Sequence, residues 1–310
     1  MKIAIVGSGI SGMVVAHRLH ARHDVTVYEA NDYIGGHSNT IDVERDGGTI
    51  PIDTGFIVFN ERTYPNFCAL LDELEVASQP TRMTFSVSCR ETKLEYCGGN
   101  LNEVFAQRSN LFRPSFHTML REILRFNRES KKLIDSGDTR TLGEFLDDEN
   151  YHQLFVRDYI IPMAAAIWST DPDLMFSFPA AHFVRFFDNH GLLDLKNRPQ
   201  WRTIVGGSRS YVEKITASYR EQIRLGTPVT KISRDTDHVD IFTDDGAERY
   251  DAVFIATHSD QALKILAQPS ELERETLSAI PYQPNTAVLH TDPNLLPVRR
   301  RARAAWNYLR

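Results

Sequence analysis

The apolar positions of this chain change period several times, and each change marks an element. Lys2-Ile3-Ala4-Ile5-Val6 is a short apolar run, the pattern of a strand covered on both faces. After Gly7-Ser8-Gly9-Ile10-Ser11-Gly12 the period lengthens. Met13, Val14, Ala16 and Leu19 then fall at helical spacing, placed to face a sheet. Val25-Thr26-Val27-Tyr28 is a second strand and ends on Glu29. Beyond Gly35-Gly36-His37 and Thr40 the pattern is one of short strands, 41–44 and 49–52, around a turn at Asp46-Gly47-Gly48. Asp53-Thr54-Gly55-Phe56 follows. Residues 64–74 return to helix, with Phe67, Leu70, Leu71 and Leu74 on one face.

The middle of the chain reads differently. Residues 85–88 and 93–96 alternate like strands, and 101–133 is helical with a break near Pro114. Thr141 with Glu144 predicts a capping box opening another helix. Helical segments continue over 151–168 and 179–187, with Pro162 as a kink or boundary. Strand patterns resume at 202–205, and Gly206-Gly207-Ser208 leads into a helix with Tyr211, Val212 and Ile215 inward. Strands are then expected at 223–225, 229–232 and 239–242, with a hairpin turn at Asp245-Gly246 and a buried strand over 250–256. The fold class is therefore α/β, a Rossmann-like nucleotide-binding domain with an inserted, mostly helical domain.

Composition narrows the function. The chain has 310 residues, 42% hydrophobic and 25% charged, enough for two domains of ordinary globular type. A net charge of -6 argues against a nucleic-acid partner, which calls for a basic face. Cys68, Cys89 and Cys97 form no C-x-x-C pair, which fits a reducing, cytoplasmic setting without disulfide or zinc. Lys2 to Ala16 superficially resembles a signal peptide, but glycines and serines interrupt it; strand–turn–helix explains it better. No apolar run reaches about 18 residues, the length of a membrane span.

The chemistry concentrates in the first forty residues. Gly7 permits the tight turn out of the strand, Gly9 lets a pyrophosphate approach the backbone, and Gly12 lets helix and strand pack closely. The helix N-terminus offers free N–H groups and its positive dipole end to phosphate. Glu29 lies 22 residues after Gly7, near the spacing of about 20 for a carboxylate that takes ribose hydroxyls.

Gly7-Ser8-Gly9-Ile10-Ser11-Gly12, Glu29 and Gly35-Gly36-His37-Ser38-Asn39-Thr40 together resemble the extended dinucleotide signature of FAD-dependent amine oxidases, phytoene desaturases and protoporphyrinogen oxidases. Asp53-Thr54-Gly55 and Gly206-Gly207-Ser208 resemble later segments of that superfamily. Asp53 to Asn60, Thr63-Tyr64-Pro65-Asn66-Phe67 and Arg113-Pro114-Ser115-Phe116 are similar to bacterial predicted NAD/FAD-binding, flavin-containing amine oxidoreductases, often linked with lipid methyltransferases. The resemblance implies FAD, with Gly7, Ser8, Gly9, Ser11, Gly12, Glu29, Gly35, Gly36, His37 and Val229 as cofactor-binding residues, Val229 through its backbone against the adenine. It implies an FAD-binding domain of residues 1–75 and 200–268 and a substrate domain of 76–199 and 269–310. It also implies oxidation of a C–N or C–C bond by hydride transfer to flavin, in an apolar or lipid-linked small molecule. Two departures stand out. His37 occupies a position often held by arginine. The family's last glycine-rich segment is missing after Trp306-Asn307-Tyr308-Leu309-Arg310, so the chain resembles a C-terminally shortened member.

The alternatives are an NAD(P)-dependent dehydrogenase on the same βαβ unit, or a non-catalytic nucleotide-binding partner of a lipid-modifying enzyme. No catalytic triad or metal motif is present, and a flavin enzyme needs neither. Asp53 is expected either to bond backbone near the cofactor or to cap a turn. Phe56, Phe59, Tyr64, Trp168, Phe176, Phe178, Phe183, Phe186, Phe187 and Trp201 either line an apolar channel or pack a core, with packing the default. His182, His190 and His258 show no ligand spacing. The basic residues from Arg113 to Lys132, and the cluster at 299–303, form either a solvated face or a peripheral membrane contact. Oligomeric state is left open.

Overall fold

In a computed structural model, which describes residues 1–45 and 47–310, the first strand (β1) is Lys2–Val6, the first helix (α1) is Ile10–Leu19 and the second strand (β2) is Asp24–Tyr28. β1 pairs in parallel with β2 on one side and with Ala252–Ile255 on the other, and Ile223–Arg224 extends the sheet beyond β2. The chain thus leaves β1 toward one side of the sheet and returns much later on the other. That reversal of strand order is where open α/β sheets form ligand crevices.

Alternation explains the apolar run of β1. Ile3, Ile5, Val25 and Val27 pack with Ala16 of α1 and with Tyr219. Ala4, Val6 and Tyr28 pack on the opposite face with Ile232, Ile241 and Tyr250. The latter come from an antiparallel sheet of Lys231–Arg234, Val239–Thr243 and Gly246–Tyr250. Burying each large aliphatic side chain here contributes about 1.5–3 kcal/mol.

Some boundaries shift for identifiable reasons. The strand expected over 229–232 starts at Lys231, although the Thr230 N–H already donates to the Phe242 carbonyl at 2.9 Å; Val229 stays outside it. The strand expected over 250–256 is split. Tyr250 ends the antiparallel sheet, and Ala252–Ile255 enters the parallel one. Between them the Asp251 carboxylate accepts from the Lys2 backbone N–H at 2.7 Å. Thr40–Arg45 pairs with Gly48–Asp53 as expected. The turn expected at 46–48 includes Asp46, which lies outside the described residues; Gly47 has φ 92°.

The chain divides into two compact units. The first is Met1–Val58, Asn66–Gln79 and Thr203–Ala287; the second is Phe59–Pro65, Pro80–Arg202 and Val288–Arg310. These differ from the expected division at 59–65 and 269–287, and by a few residues at 76–79 and 200–202. Residues 59–65 join the second unit, where Phe59 and Asn60 pair with Arg202 and Trp201. Residues 269–287 join the first, where the helix Glu271–Ser278 packs on Ser259–Ile265.

The second unit has an aromatic core that includes Phe126, Phe145, Phe155 and Phe183, each fully buried. Pro114 opens a helix, Pro114–Glu129, so the expected break is a helix start. The Thr141 and Glu144 capping box is present. Near Pro162 the helix widens to a π-turn over Val156–Ile160 before Ile161–Trp168, accommodating the missing N–H. Trp306–Leu309, a strand the periodicity did not reveal, pairs in parallel with Phe85–Cys89, which pairs antiparallel with Leu94–Cys97. Buried Glu95 fastens this segment. Its carboxylate accepts from the Val298 and Arg299 backbone N–H groups and pairs with the Arg299 guanidinium at 2.8 Å.

The basic run is largely neutralised. Arg125 pairs with Glu122 and Glu129, Arg128 with Glu129, Lys131 with Asp188 and Asp194, and Lys132 with Glu149. Among the described residues no helix is long and apolar enough to cross a membrane.

Candidate functional site

In the first unit the glycines do distinct work at the carboxyl edge of β1. A Cβ on Gly12 would sit 1.9 Å from the Gly7 carbonyl oxygen, so α1 can approach the strand only without one. Gly7 has φ 102°, in the left-handed region that favours glycine. At Gly9 a Cβ would meet nothing within 4 Å: the space above it is open. Gly9 also caps α1 without a side chain, and the first turn, including exposed Ser11, carries no acid. Its N–H groups therefore face the open space, as phosphate requires.

The second glycine pair closes on the first. Gly9 and Gly35 form a parallel bridge, and the Gly35 N–H donates to the Ser8 carbonyl at 3.1 Å. Gly36, at φ 58°, passes so close that a Cβ would lie 3.3 Å from Gly9 Cα. Fully buried Ser8 ties the loops together: its hydroxyl donates to Glu29 at 2.6 Å and accepts from the Gly35 N–H at 3.3 Å.

Glu29 ends β2 beside this edge, buried. Its carboxylate accepts from the Ser8 N–H at 2.9 Å, the Ser8 hydroxyl, the Asn31 N–H at 2.8 Å and the Asn31 amide at 3.0 Å. That fills the roughly four acceptor sites of a carboxylate. A ribose hydroxyl fits only by displacing the Ser8 hydroxyl or the Asn31 amide, both of which rotate. The glycine cradle, open over Gly9, leaves room for a phosphate at the helix N-terminus.

His37 is exposed. Its ring stacks on His258 with centroids 5.8 Å apart, and His258 stacks on Tyr282 at 4.5 Å. Val229 is half-buried and outside any ladder, so its backbone groups are not committed to a strand. Asp53 bonds backbone at a helix start. Its Oδ1 accepts from the Thr40 hydroxyl at 2.6 Å and the Ser208 N–H at 2.8 Å, at the start of the helix Arg209–Thr216. Thr40 completes the cap by accepting from the Arg209 N–H.

The second unit contains a separate cavity of about 350 Å³. Phe85, Tyr96, Phe105, Leu120, Ile123 and Met163 are among its walls. Of the aromatic residues singled out in the sequence, Phe186 and Trp201 line it, while Phe183 and Phe187 pack the core. His190 also lines it. Its Nδ1 lies 2.8 Å from the Phe186 carbonyl, which assigns the proton of the neutral ring to Nδ1 and leaves the Nε2 lone pair free. Asn127, Tyr159 and Arg198 are further polar residues of the wall, with Thr84; no local motif marks them, because the lining runs from Met83 to Trp306. Among the described residues no cluster of His, Cys, Asp or Glu could hold a metal ion.

Comparison with known proteins agrees with this geometry. The family model described as flavin containing amine oxidoreductase matches residues 10–296. A putative flavin-containing monoamine oxidase, AofH, from Mycobacterium tuberculosis (strain ATCC 25618 / H37Rv) is 26% identical over 82% of this chain and 56% of its own length. An L-amino acid dehydrogenase from Synechocystis is 25% identical over 86% of this chain and 57% of its own. The chain thus spans a little over half the length of these curated relatives. Among solved structures, cyclohexylamine oxidase from Brevibacterium oxydans superposes with a TM-score of 0.67 at 21% identity, covering 89% of this chain and 62% of the other.

Proposed function

This chain belongs to the flavin-containing amine oxidoreductases, and on that premise we propose that it is part of an FAD-dependent oxidoreductase whose substrate is an apolar small molecule. The observation that carries the reading is the open space over Gly9, at the N-terminus of α1 and at the reversal of strand order. There the first-turn N–H groups of α1 bind and orient the pyrophosphate. Glu29 fixes the adenosine side by exchanging an internal donor for a ribose hydroxyl, and the Val229 backbone takes the adenine edge. A carboxylate at Glu29 repels a 2′-phosphate, which disfavours NADP. Bound FAD would supply the acceptor for a hydride leaving a C–H bond of the substrate.

The substrate half of the reading rests on the cavity of the second unit. Its walls are mostly aliphatic and aromatic with a few polar groups, the usual make-up of a small-molecule site. No Asp or Glu lines it, which disfavours a small polyamine and favours an apolar or lipid-linked substrate. The neutralised basic run gives little support to membrane contact.

The test is a visible absorption spectrum of purified protein, before and after anaerobic addition of apolar candidates. A flavin spectrum that bleaches with an apolar compound and not with putrescine is expected. Folded protein that neither copurifies with flavin nor takes up added FAD would overturn the proposal.

A further inference from the structure

Besides the free Nε2 of His190, the cavity of the second unit carries three polar groups whose hydrogen-bonding capacity is not used up. Asn127 is 7% exposed, and its Oδ1 is shut off from solvent without a partner. The Tyr159 hydroxyl has no hydrogen-bond partner among the described residues. Arg198 uses only its Nε, which donates to the Asp194 carbonyl at 2.6 Å, so its terminal N–H groups are free. An unmade bond at a buried polar group costs about 1–3 kcal/mol, and of these groups the Tyr159 hydroxyl and the Arg198 terminal N–H groups are donors that an incoming acceptor satisfies, while the Asn127 Oδ1 is itself an acceptor.

The electrostatics have a definite sign. Arg198 is the charged residue of the lining, and it faces no carboxylate there. The nearby Asp194 carboxylate is already held by Lys131 at 3.1 Å, with Arg62 at 4.0 Å. The guanidinium charge is felt inside the cavity: burial pushes the Tyr159 phenol up, and Arg198 pulls it partly back. Leu101, Leu124 and Leu195, also in the lining, are exposed, so the cavity opens through an apolar rim with Arg198, itself exposed, as its cation. Apolar walls with donors and one unpaired cation complement an apolar chain that ends in an anion.

We propose that this cavity binds an amphiphile with an anionic head, carboxylate or phosphate, its chain against the aliphatic and aromatic walls and its head on the terminal N–H groups of Arg198. The planar guanidinium fork matches either head in bidentate fashion. The inference deepens the apolar-substrate reading and rests on it for the substrate role, but binding itself needs no flavin. Arg198 thereby acts as a specificity determinant that rejects amines, whose ammonium would meet a like charge.

Dodecanoate, dodecyl phosphate, dodecanol and dodecylamine share one chain and differ only in the head. Each is titrated below its micelle concentration into the full chain, with fluorescence of Trp201 and Trp306 in the cavity wall as the readout. At least one anion should bind about tenfold or more tighter than the alcohol and the amine, as a charge-assisted bond implies. The two anions together tell a carboxylate from a phosphate head. Arg198→Leu should erase the preference, and Arg198→Lys should keep part of it. Ile167→Trp, which fills the cavity, should abolish binding of all four and reports on the site if Arg198→Leu misfolds. Equal affinity for alcohol, amine and anion, binding of none, or a preference that survives Arg198→Leu would overturn the proposal, whatever the flavin content of the protein.

Discussion

The glycine edge of the first unit and the cavity of the second solve recognition in opposite ways. At the edge, the polar side chains are committed to the protein. Glu29 and Ser8 hold each other and the two loops, and what is offered outward is backbone over Gly9. In the cavity the walls are mostly apolar side chains, and the polar groups offered are side chains: Asn127, Tyr159, His190 and Arg198. A site made of backbone depends on steric fit and tolerates no added atom. A site made of side chains can be retuned one head at a time. The first therefore suits a fixed cofactor, and the second a variable substrate.

The sharpest break in that comparison is Gly12→Val. The new Cβ meets a backbone carbonyl that cannot move aside, so stability should fall by about 3 kcal/mol or more, with loss of flavin. Urea denaturation and the flavin-to-protein absorbance ratio check this; a stable, flavin-replete variant would count against the steric account. Glu29→Ala comes next. It strands the buried Ser8 N–H and its hydroxyl, at about 2–3 kcal/mol, even in protein stripped of flavin. If thermal unfolding of the flavin-free protein is unchanged, Glu29 serves the nucleotide alone and the internal network is dispensable.

How much of this was readable in the chain follows the same divide. The edge was legible because Gly7 to Gly12, Glu29 and Gly35-Gly36 are local in sequence and each glycine answers a local steric demand. What was not legible there was the prior commitment of Glu29 to Ser8 and Asn31, which depends on how two loops cross. What Asp53 bonds is set by Ser208, 155 residues away, whose backbone N–H it accepts. The cavity was barely legible. Phe186 and Trp201 stood out as aromatic, but Asn127 sits in a basic helix and Arg198 beside a proline-containing loop, and nothing local marks either. The Trp306–Leu309 strand was missed because four residues of weak alternation carry little signal without the partner strand Phe85–Cys89.

Two smaller effects sharpen the contrast. Ile167→Trp should empty the cavity of ligand while leaving the flavin-to-protein ratio as in wild type, at about 1–3 kcal/mol of overpacking strain. A parallel loss of flavin would mean that the two sites are not separable. The smallest effect concerns the helix Glu271–Ser278 of the first unit. There Arg234 and the Ser270 N–H hold the Glu273 carboxyl down at about 2 from its ordinary 4.5. A depressed carboxyl stabilises the fold fully above the ordinary value and loses that contribution as pH falls toward the depressed one. Unfolding midpoints of wild type and Glu273→Gln should therefore differ slightly at neutral pH and converge between pH 4.5 and about 2. A constant difference across that window would remove the ion-paired cap from the account.

The most direct test of the central claim, that the backbone over Gly9 holds the dinucleotide, is calorimetric titration of FAD into flavin-free wild type and Gly9→Val. A Cβ at Gly9 meets no protein atom within 4 Å, so the variant should stay folded, losing only about 1 kcal/mol as a poorer helix cap. Its side chain would instead occupy the open space where the pyrophosphate has to lie. FAD binding to the wild type and a loss of about tenfold or more in the folded variant is the predicted result. Unchanged FAD affinity in Gly9→Val would contradict it.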